Sequence, residues 1–191
     1  MTALVAAARE LIHFLEASGF KACLIGGLVV QRWGEPRLTR DVDATVLADY
    51  GTEARVIDAV LGRFAARRDD ARDFALANRV LLVRATNGVD MDLSLGAFEF
   101  EREALDRATP YEFEPGVGLQ TCSAEDLIVY KAIAARPRDV EDIKSVVIRQ
   151  GRRLDIDRIR RWGRVFSELK EDPDLLRPFE DALRKYAQPG R

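Results

Sequence analysis

Residues 41–47, with the sequence DVDATVL, constrain the fold more than any other stretch of the chain. Polar and apolar residues alternate here, a pattern typical of a β-strand with one buried face. Asp41, Asp43 and Thr45 therefore share one face of the predicted strand, and the apolar residues between them share the other. The strand thus begins with two carboxylates that point the same way.

A short buried strand is predicted just before it, over residues 21–27 (KACLIGG), and it ends at Gly26 and Gly27. Residues 28–34 (LVVQRWG) then predict a short helix. Backbone N–H groups and the start of a helix can approach a phosphate closely at such a turn. The Gly-Gly pair is therefore a candidate phosphate-binding turn.

Two further strands are predicted within residues 78–96, joined at Asn87-Gly88, a strong hairpin signal. Asp90 and Asp92 lie on the returning strand, on one face, and both are candidates for a third carboxylate. Other patterns predict helices over residues 3–16, 53–64 and 100–108, and a short strand pair over residues 111–122.

The pattern is helical alone from Ser123 onwards, with helices predicted over residues 123–135, 136–151, 155–169 and 174–187. Pro137 predicts a break in the second of them, with Asp139 as its new N-cap and Asp142 completing a capping box. Residues 187–191 are expected to fray. We predict a mixed α/β (α+β) fold with a small mixed sheet in residues 1–122, on which residues 123–191 pack as a helical layer in a single compact unit.

Composition limits the chemistry that is available. A net charge of −2 provides no overall attraction to nucleic acid or membrane, and no apolar run is long enough to span a bilayer. Cys23 and Cys122 do not form a disulfide framework, and a single histidine, His13, argues against histidine metal sites and Ser-His triads. A cytoplasmic protein that uses carboxylates, Lys and Arg is expected.

Several chemistries use an Asp-x-Asp pair, and the simplest alternative is an ordinary strand start. Phosphohydrolases of the haloacid dehalogenase type need a hydrophobic run before the first Asp, but EPRLTR precedes Asp41. A metal-dependent glycosyltransferase would need a larger donor-binding domain before its Asp-x-Asp pair, and only 40 residues precede the pair here. It therefore remains only a distant alternative. Nucleotidyl transfer, in which a hydroxyl attacks the α-phosphate of a nucleoside triphosphate, needs three carboxylates, two divalent ions and a phosphate cradle.

The order of these motifs resembles the nucleotidyltransferase superfamily that includes DNA polymerase beta, and more closely its small bacterial branch related to abortive-infection toxins. The resemblance covers roughly residues 22–148. It rests on IGGLVVQRWGEPRLTRDVDATV, GVDMDLSLG and SAEDLIVYKAIAARPRDVEDI. Many superfamily members have Gly-Ser where this chain has Gly26-Gly27.

The resemblance implies two sets of site residues. The catalytic and metal-binding set is Asp41, Asp43 and Asp92, with Asp92 preferred over Asp90 because MDLSLG better matches the apolar-Asp-apolar form of the family. The nucleotide-binding set is Gly26, Gly27, Thr39, Arg40, Lys131, Arg138 and Asp142. Mg²⁺ or Mn²⁺ is the implied cofactor, and a nucleoside triphosphate is the implied substrate.

The resemblance also implies a biological setting: an acceptor hydroxyl on tRNA, other RNA or protein, and a cognate toxin or antitoxin in a toxin–antitoxin or phage-defence pair. The alternative is a non-catalytic member of the fold that binds nucleotide or a partner. An arginine-rich stretch over residues 149–164 could contact RNA, but a solvated helix face with Trp162 in the core is the favoured interpretation.

Overall fold

The structure is a computed structural model that describes residues 2–186. The chain divides into two compact units. Unit 1 comprises Met1–Leu28 and Leu38–Cys122, and unit 2 comprises Val29–Arg37 and Ser123–Arg191. The packing of residues 123–191 on residues 1–122 stays a prediction, and the expected fraying of residues 187–191 lies outside the described part of the chain.

Unit 1 contains seven strands and several helices within the described residues. The strands are β1 (Ala22–Ile25), β2 (Asp41–Leu47), β3 (Ala65–Ala66), β4 (Val80–Arg84), β5 (Asp90–Gly96), β6 (Thr109–Glu114) and β7 (Val117–Thr121). The helices are α1 (Ala3–Ala17), α3 (Glu53–Leu61), α4 (Ala71–Asn78) and α5 (Glu99–Asp106), together with the first turn of α2 (Gly26–Trp33).

The strands form one sheet in the order β3-β4-β5-β2-β1-β7-β6. Strands β2 and β5 run parallel, as do β1 and β7, and the other neighbouring pairs are antiparallel. The burial of β2 alternates as predicted at first, because Val42 and Ala44 are fully buried while Asp41 and Asp43 are half-buried. Thr45, on the face of the two acids, is fully buried as well, so the alternation ends there. Helix α1 packs on β1, β2 and β7. This arrangement confirms the predicted mixed α/β class.

The register of the sheet determines which acidic residues become neighbours. In the parallel pair of β2 and β5, Asp41 lies opposite Asp90, and Asp43 lies opposite Asp92. On the other side of β2, Asp43 lies opposite Ile25, the last residue of β1. The chain that follows Ile25 therefore leaves the sheet beside Asp43.

Two features of unit 1 differ from the sequence prediction. Helix α2 begins at Gly26 itself, so the Gly-Gly pair is its first turn and not a separate turn before it. Residues 65–78 contain β3 and α4, which the sequence analysis did not identify. A two-residue strand is too short to show a periodic pattern, and α4 mixes polar and small apolar residues along its length.

Unit 2 is helical in its described residues. It contains the remainder of α2, then α6 (Ala124–Ala134), α7 (Pro137–Gln150), α8 (Ile156–Leu169) and α9 (Arg177–Tyr186), with a 3₁₀ turn at Gly151–Arg153. Helix α6 packs on α7 and α8, and α7 packs on α9. Within residues 2–186, no helix is both long and apolar enough to cross a membrane.

The start of α7 corrects one prediction. Pro137 is the first helical residue, so Asp139 is not the N-cap but lies in the first turn. From there it accepts a hydrogen bond from the backbone N–H of Arg136 at 3.1 Å. Proline is well suited to the first position of a helix because its missing N–H would have no partner there. The predicted interruption is therefore the helix start.

Candidate active site

Three carboxylates meet at one end of β2 and β5. Asp41, Asp43 and Asp92 each offer an oxygen, and these oxygens lie within 4.8 Å of one another. All three side chains are half-buried, so they are positioned by the sheet while remaining accessible. Carboxylate oxygens are the ligands that Mg²⁺ prefers, and several of them at this spacing fit a divalent cation. We call these three residues the carboxylate group.

Gly26 lies directly against this group. Its backbone has φ +69°, a left-handed conformation that favours glycine. A Cβ atom at this position would lie 1.9 Å from Oδ2 of Asp43, well inside van der Waals contact. The next backbone N–H, that of Gly27, donates to the same Oδ2 at 3.3 Å. The absence of a side chain at Gly26 is therefore what allows the start of α2 to approach Asp43.

The residues that precede β2 also adjoin the group. The hydroxyl of Thr39 donates to Oδ1 of Asp41 at 2.9 Å, which helps to orient that carboxylate. Arg40 is exposed, between Thr39 and the first acidic residue. Their predicted roles in binding phosphate stay predictions.

Arg67 is a neighbour of the carboxylate group that the sequence analysis missed. Its Nη1 donates to Oδ1 of Asp92, and its Nε lies 3.4 Å from Oδ2 of Asp90. Asp90 also pairs with Arg84 at 2.8 Å, and it does not belong to the carboxylate group. The structure therefore places the two candidates for the third carboxylate differently: Asp92 lies beside Asp43, and Asp90 lies between two arginines.

The remaining predicted site residues lie in unit 2, where Lys131 and Asp142 belong to a buried ion network. The ammonium of Lys131 is 2.8 Å from Oδ1 of Asp139 and 2.8 Å from Oδ2 of Asp142. Asp142 also accepts two hydrogen bonds from Arg37, both at 2.6 Å. Lys131 is only 4% exposed. Arg138, by contrast, is exposed in the first turn of α7.

The network keeps both of its carboxylates ionised. Burial acts to raise the pKa of Asp139, but hydrogen bonds from Arg136 and Lys131 outweigh it and hold that pKa below its usual value. Burial opposes ionisation of Asp142 in the same way, and hydrogen bonds from Arg37 and Lys131 again lower the pKa. These contacts give Lys131 and Asp142 a structural role in unit 2. Their predicted contact with nucleotide stays a prediction.

The arginine-rich stretch is mostly exposed, but some of its residues make contacts inside unit 2. Trp162 is 8% exposed, as expected for a core residue. Arg158 is buried and forms two hydrogen bonds to Asp126, at 2.9 and 2.7 Å, and Arg160 pairs with Glu180. Arg158 departs from the predicted solvated face: it is buried, and Asp126 inside unit 2 compensates its charge.

Comparison with known proteins agrees with this geometry. Residues 5–175 match the family described as "Nucleotidyl transferase of unknown function (DUF2204)". The chain belongs to this family. The match covers β1, β2 and β5, which carry or adjoin the carboxylate group, and it confirms the predicted membership of the nucleotidyltransferase superfamily. No functionally curated protein is significantly similar to the chain in sequence.

Solved structures of nucleotidyltransferases share the fold of this family member. An antigenic nucleotidyltransferase-like protein from Paracoccidioides brasiliensis has a TM-score of 0.50 at 15% identity, with 97% of this chain and 94% of that chain covered. The solution structure of the antibiotic-resistance factor ANT(2'')-Ia has a TM-score of 0.56 at 12% identity, with 87% of this chain and 92% of that chain covered. ANT(2'')-Ia in complex with adenylyl-2''-tobramycin has a TM-score of 0.53 at 14% identity, with 87% of this chain and 98% of that chain covered.

Proposed function

We propose that this protein is an active nucleotidyltransferase that uses divalent metal ions to transfer a nucleotidyl group from a nucleoside triphosphate to an acceptor hydroxyl. The observation that carries the proposal is the convergence of Asp41, Asp43 and Asp92, with their oxygens within 4.8 Å of one another. The family match supports the same activity.

Each part of the site has a place in this reaction. Asp41 and Asp43 would hold two Mg²⁺ or Mn²⁺ ions, and Asp92 would complete the ligands of the ion on the acceptor side. When bound, the ions supply stabilisation of the charge that develops on the attacking and leaving oxygens. The donor set fits this task because it consists of carboxylates alone, the hard oxygen ligands that such ions prefer.

The chain around the carboxylates would position the triphosphate. The first turn of α2 presents backbone N–H groups and the positive end of a helix dipole, which attract phosphate oxygens. Because α2 begins at Gly26, this turn starts beside Asp43. The acceptor oxygen would form a bond to the α-phosphorus while pyrophosphate leaves and the hydroxyl proton is released. Thr39 would keep Asp41 oriented through its 2.9 Å hydrogen bond.

The acceptor hydroxyl is proposed to belong to an RNA or a protein. The resemblance to abortive-infection proteins supports an RNA, including tRNA, or a protein acceptor, in a toxin–antitoxin or phage-defence pair. The tobramycin adduct of ANT(2'')-Ia supports testing a small hydroxylated molecule as well. A cognate toxin or antitoxin remains part of this proposal.

The decisive assay incubates the protein with each α-³²P-labelled nucleoside triphosphate, Mg²⁺, and total cellular RNA and protein. We expect label on a discrete RNA or protein. Asp43→Asn should reduce labelling by about 10³-fold, because several kcal/mol of charge stabilisation would be lost. Aminoglycosides serve as a separate acceptor arm.

Asp90→Asn is the matched control, because Asp90 lies on β5 two residues before Asp92 but outside the carboxylate group. It should retain most of the activity, whereas Asp92→Asn should not. Full activity in folded Asp43→Asn would refute the metal assignment. Magnesium-dependent nucleotide binding with no labelled product in any arm would favour the rival proposal, a non-catalytic nucleotide-binding protein.

A further inference from the structure

Arg67 makes a contact that the proposed reaction does not require. Its guanidinium donates from Nη1 to Asp92 and reaches Asp90 through Nε at 3.4 Å. Arg67 follows the two-residue strand β3, and its backbone N–H donates to the carbonyl of Leu82 at 3.1 Å. Because Leu82 is opposite Asp92 in the sheet, this bond anchors Arg67 beside that carboxylate.

The contact has an electrostatic reason. Three carboxylates with oxygens within 4.8 Å repel one another strongly when no cation lies between them. Arg67 holds a permanent positive charge beside one of them, Asp92, since a guanidinium does not lose its proton in proteins. Its side chain is 23% exposed, so water screens this charge only in part.

The same charge opposes a second cation. A divalent ion held by Asp92 would share that carboxylate with the guanidinium, and two positive charges so close together repel each other even at the dielectric constant of water. The hydrogen bond also uses one of the acceptor sites of Oδ1 of Asp92, so fewer remain for an ion.

We propose that Arg67 is a counterion built into the carboxylate group, which competes with the divalent cation for Asp92 and weakens its binding. This inference rests on the metal site of the proposed function. Arg67 is thus a positioning residue: it holds Asp92 in place before an ion arrives, at the cost of lower affinity for that ion.

The test is Mn²⁺ binding, measured by titration calorimetry on the full chain without nucleotide. Arg67→Met removes the charge while keeping an extended side chain, and it should tighten Mn²⁺ binding about tenfold, the effect of a unit charge about 6 Å from a divalent ion in water. Arg67→Lys keeps the charge and should change the affinity by less than about threefold. Without metal, Arg67→Met should melt at a lower temperature, and Mn²⁺ should restore the loss.

Arg84→Met is the matched control, because Arg84 pairs with Asp90 and is half exposed. It should shift Mn²⁺ affinity by less than about threefold. In an Asp92→Asn background, Arg67→Met should lose most of its effect, since the shared partner is gone.

The outcomes separate this inference from the proposed function. If the unmodified protein binds no Mn²⁺, the metal site fails and the inference fails with it. If the protein binds Mn²⁺ but folded Arg67→Met binds it equally or more weakly, only the competition is overturned. Equal tightening by Arg84→Met would overturn it too, because a general charge effect would then explain the result.

Discussion

Gly26→Ala tests whether the close approach of α2 to Asp43 organises the carboxylate group. The new Cβ would lie 1.9 Å from Oδ2, 2.4 Å from Cγ and 2.5 Å from Cβ of Asp43. Ordinary contact begins at 3.4 Å, so Oδ2 would have to move by about 1.5 Å. Rotation of the carboxylate alone cannot relieve the clash, because Cβ of Asp43 is involved as well.

Two costs add in this variant. Alanine in the left-handed region costs about 1–2 kcal/mol, and relief of the overlap costs about 1–3 kcal/mol more. Gly19→Ala separates them, because Gly19 has a similar φ of +75° but no atom within 4 Å of the point that a Cβ would occupy. We expect losses of about 2–5 kcal/mol for Gly26→Ala and about 1–2 kcal/mol for Gly19→Ala.

Urea denaturation followed by circular dichroism measures both losses, and Mn²⁺ titration shows whether the ligands have moved. Displacement of Asp43 should weaken Mn²⁺ binding about 10- to 100-fold in Gly26→Ala, as happens when the orientation of ligands is lost. Gly19→Ala should bind Mn²⁺ normally. If the two variants were equal in both measurements, the approach of Gly26 to Asp43 would have no organising role.

Two further predictions concern the buried ion network of unit 2, which tryptophan fluorescence reports because both tryptophans lie in that unit. Lys131→Met removes the cation that two buried carboxylates share, although each keeps an arginine partner. It should lower the free energy of unfolding by about 1–3 kcal/mol, whereas the exposed Arg138→Met should change it by less than about 0.5 kcal/mol. The lowered pKa of Asp142 gives stability that is fully present above the ordinary value of 3.8 and lost as pH falls through the folded-state pKa. In Asp142→Asn, the melting temperature should therefore fall less steeply as the pH is lowered. A fall as steep as that of the unmodified protein would contradict this.

The sequence predicted most elements whose pattern is local. Residues 41–46 alternate between polar and apolar side chains, and Asn87-Gly88 marks a turn, so β2 and the hairpin of β4 and β5 were expected and are present. Gly88 has φ +86°, and its N–H donates to the carbonyl of Ala85. Such features depend on neighbouring residues alone, which is why one sequence suffices to predict them.

The arrangement of the candidate site depends on contacts between distant residues. The pairing of Asp43 with Asp92 follows from the register of two strands 49 positions apart, which no local pattern specifies. Arg67 and Arg37 were missed for the same reason: each meets its partner through tertiary structure and lies in a segment without periodic pattern. The sequence could therefore propose carboxylates, but not their arginine partners.

The discontinuity of unit 2 limits how this chain can be rearranged by recombination. Residues 29–37 belong to the unit although more than 80 residues separate them from its remainder. Arg37 pairs with Asp142, and the carbonyls of Trp33 and Gly34 accept hydrogen bonds from Gln150 and Arg149. A gene segment that starts at Ser123 would encode the helices without these tethers and would leave Asp142 short of one cation. Exchange of residues 123–191 between relatives should therefore succeed only when residues 29–37 are exchanged with them.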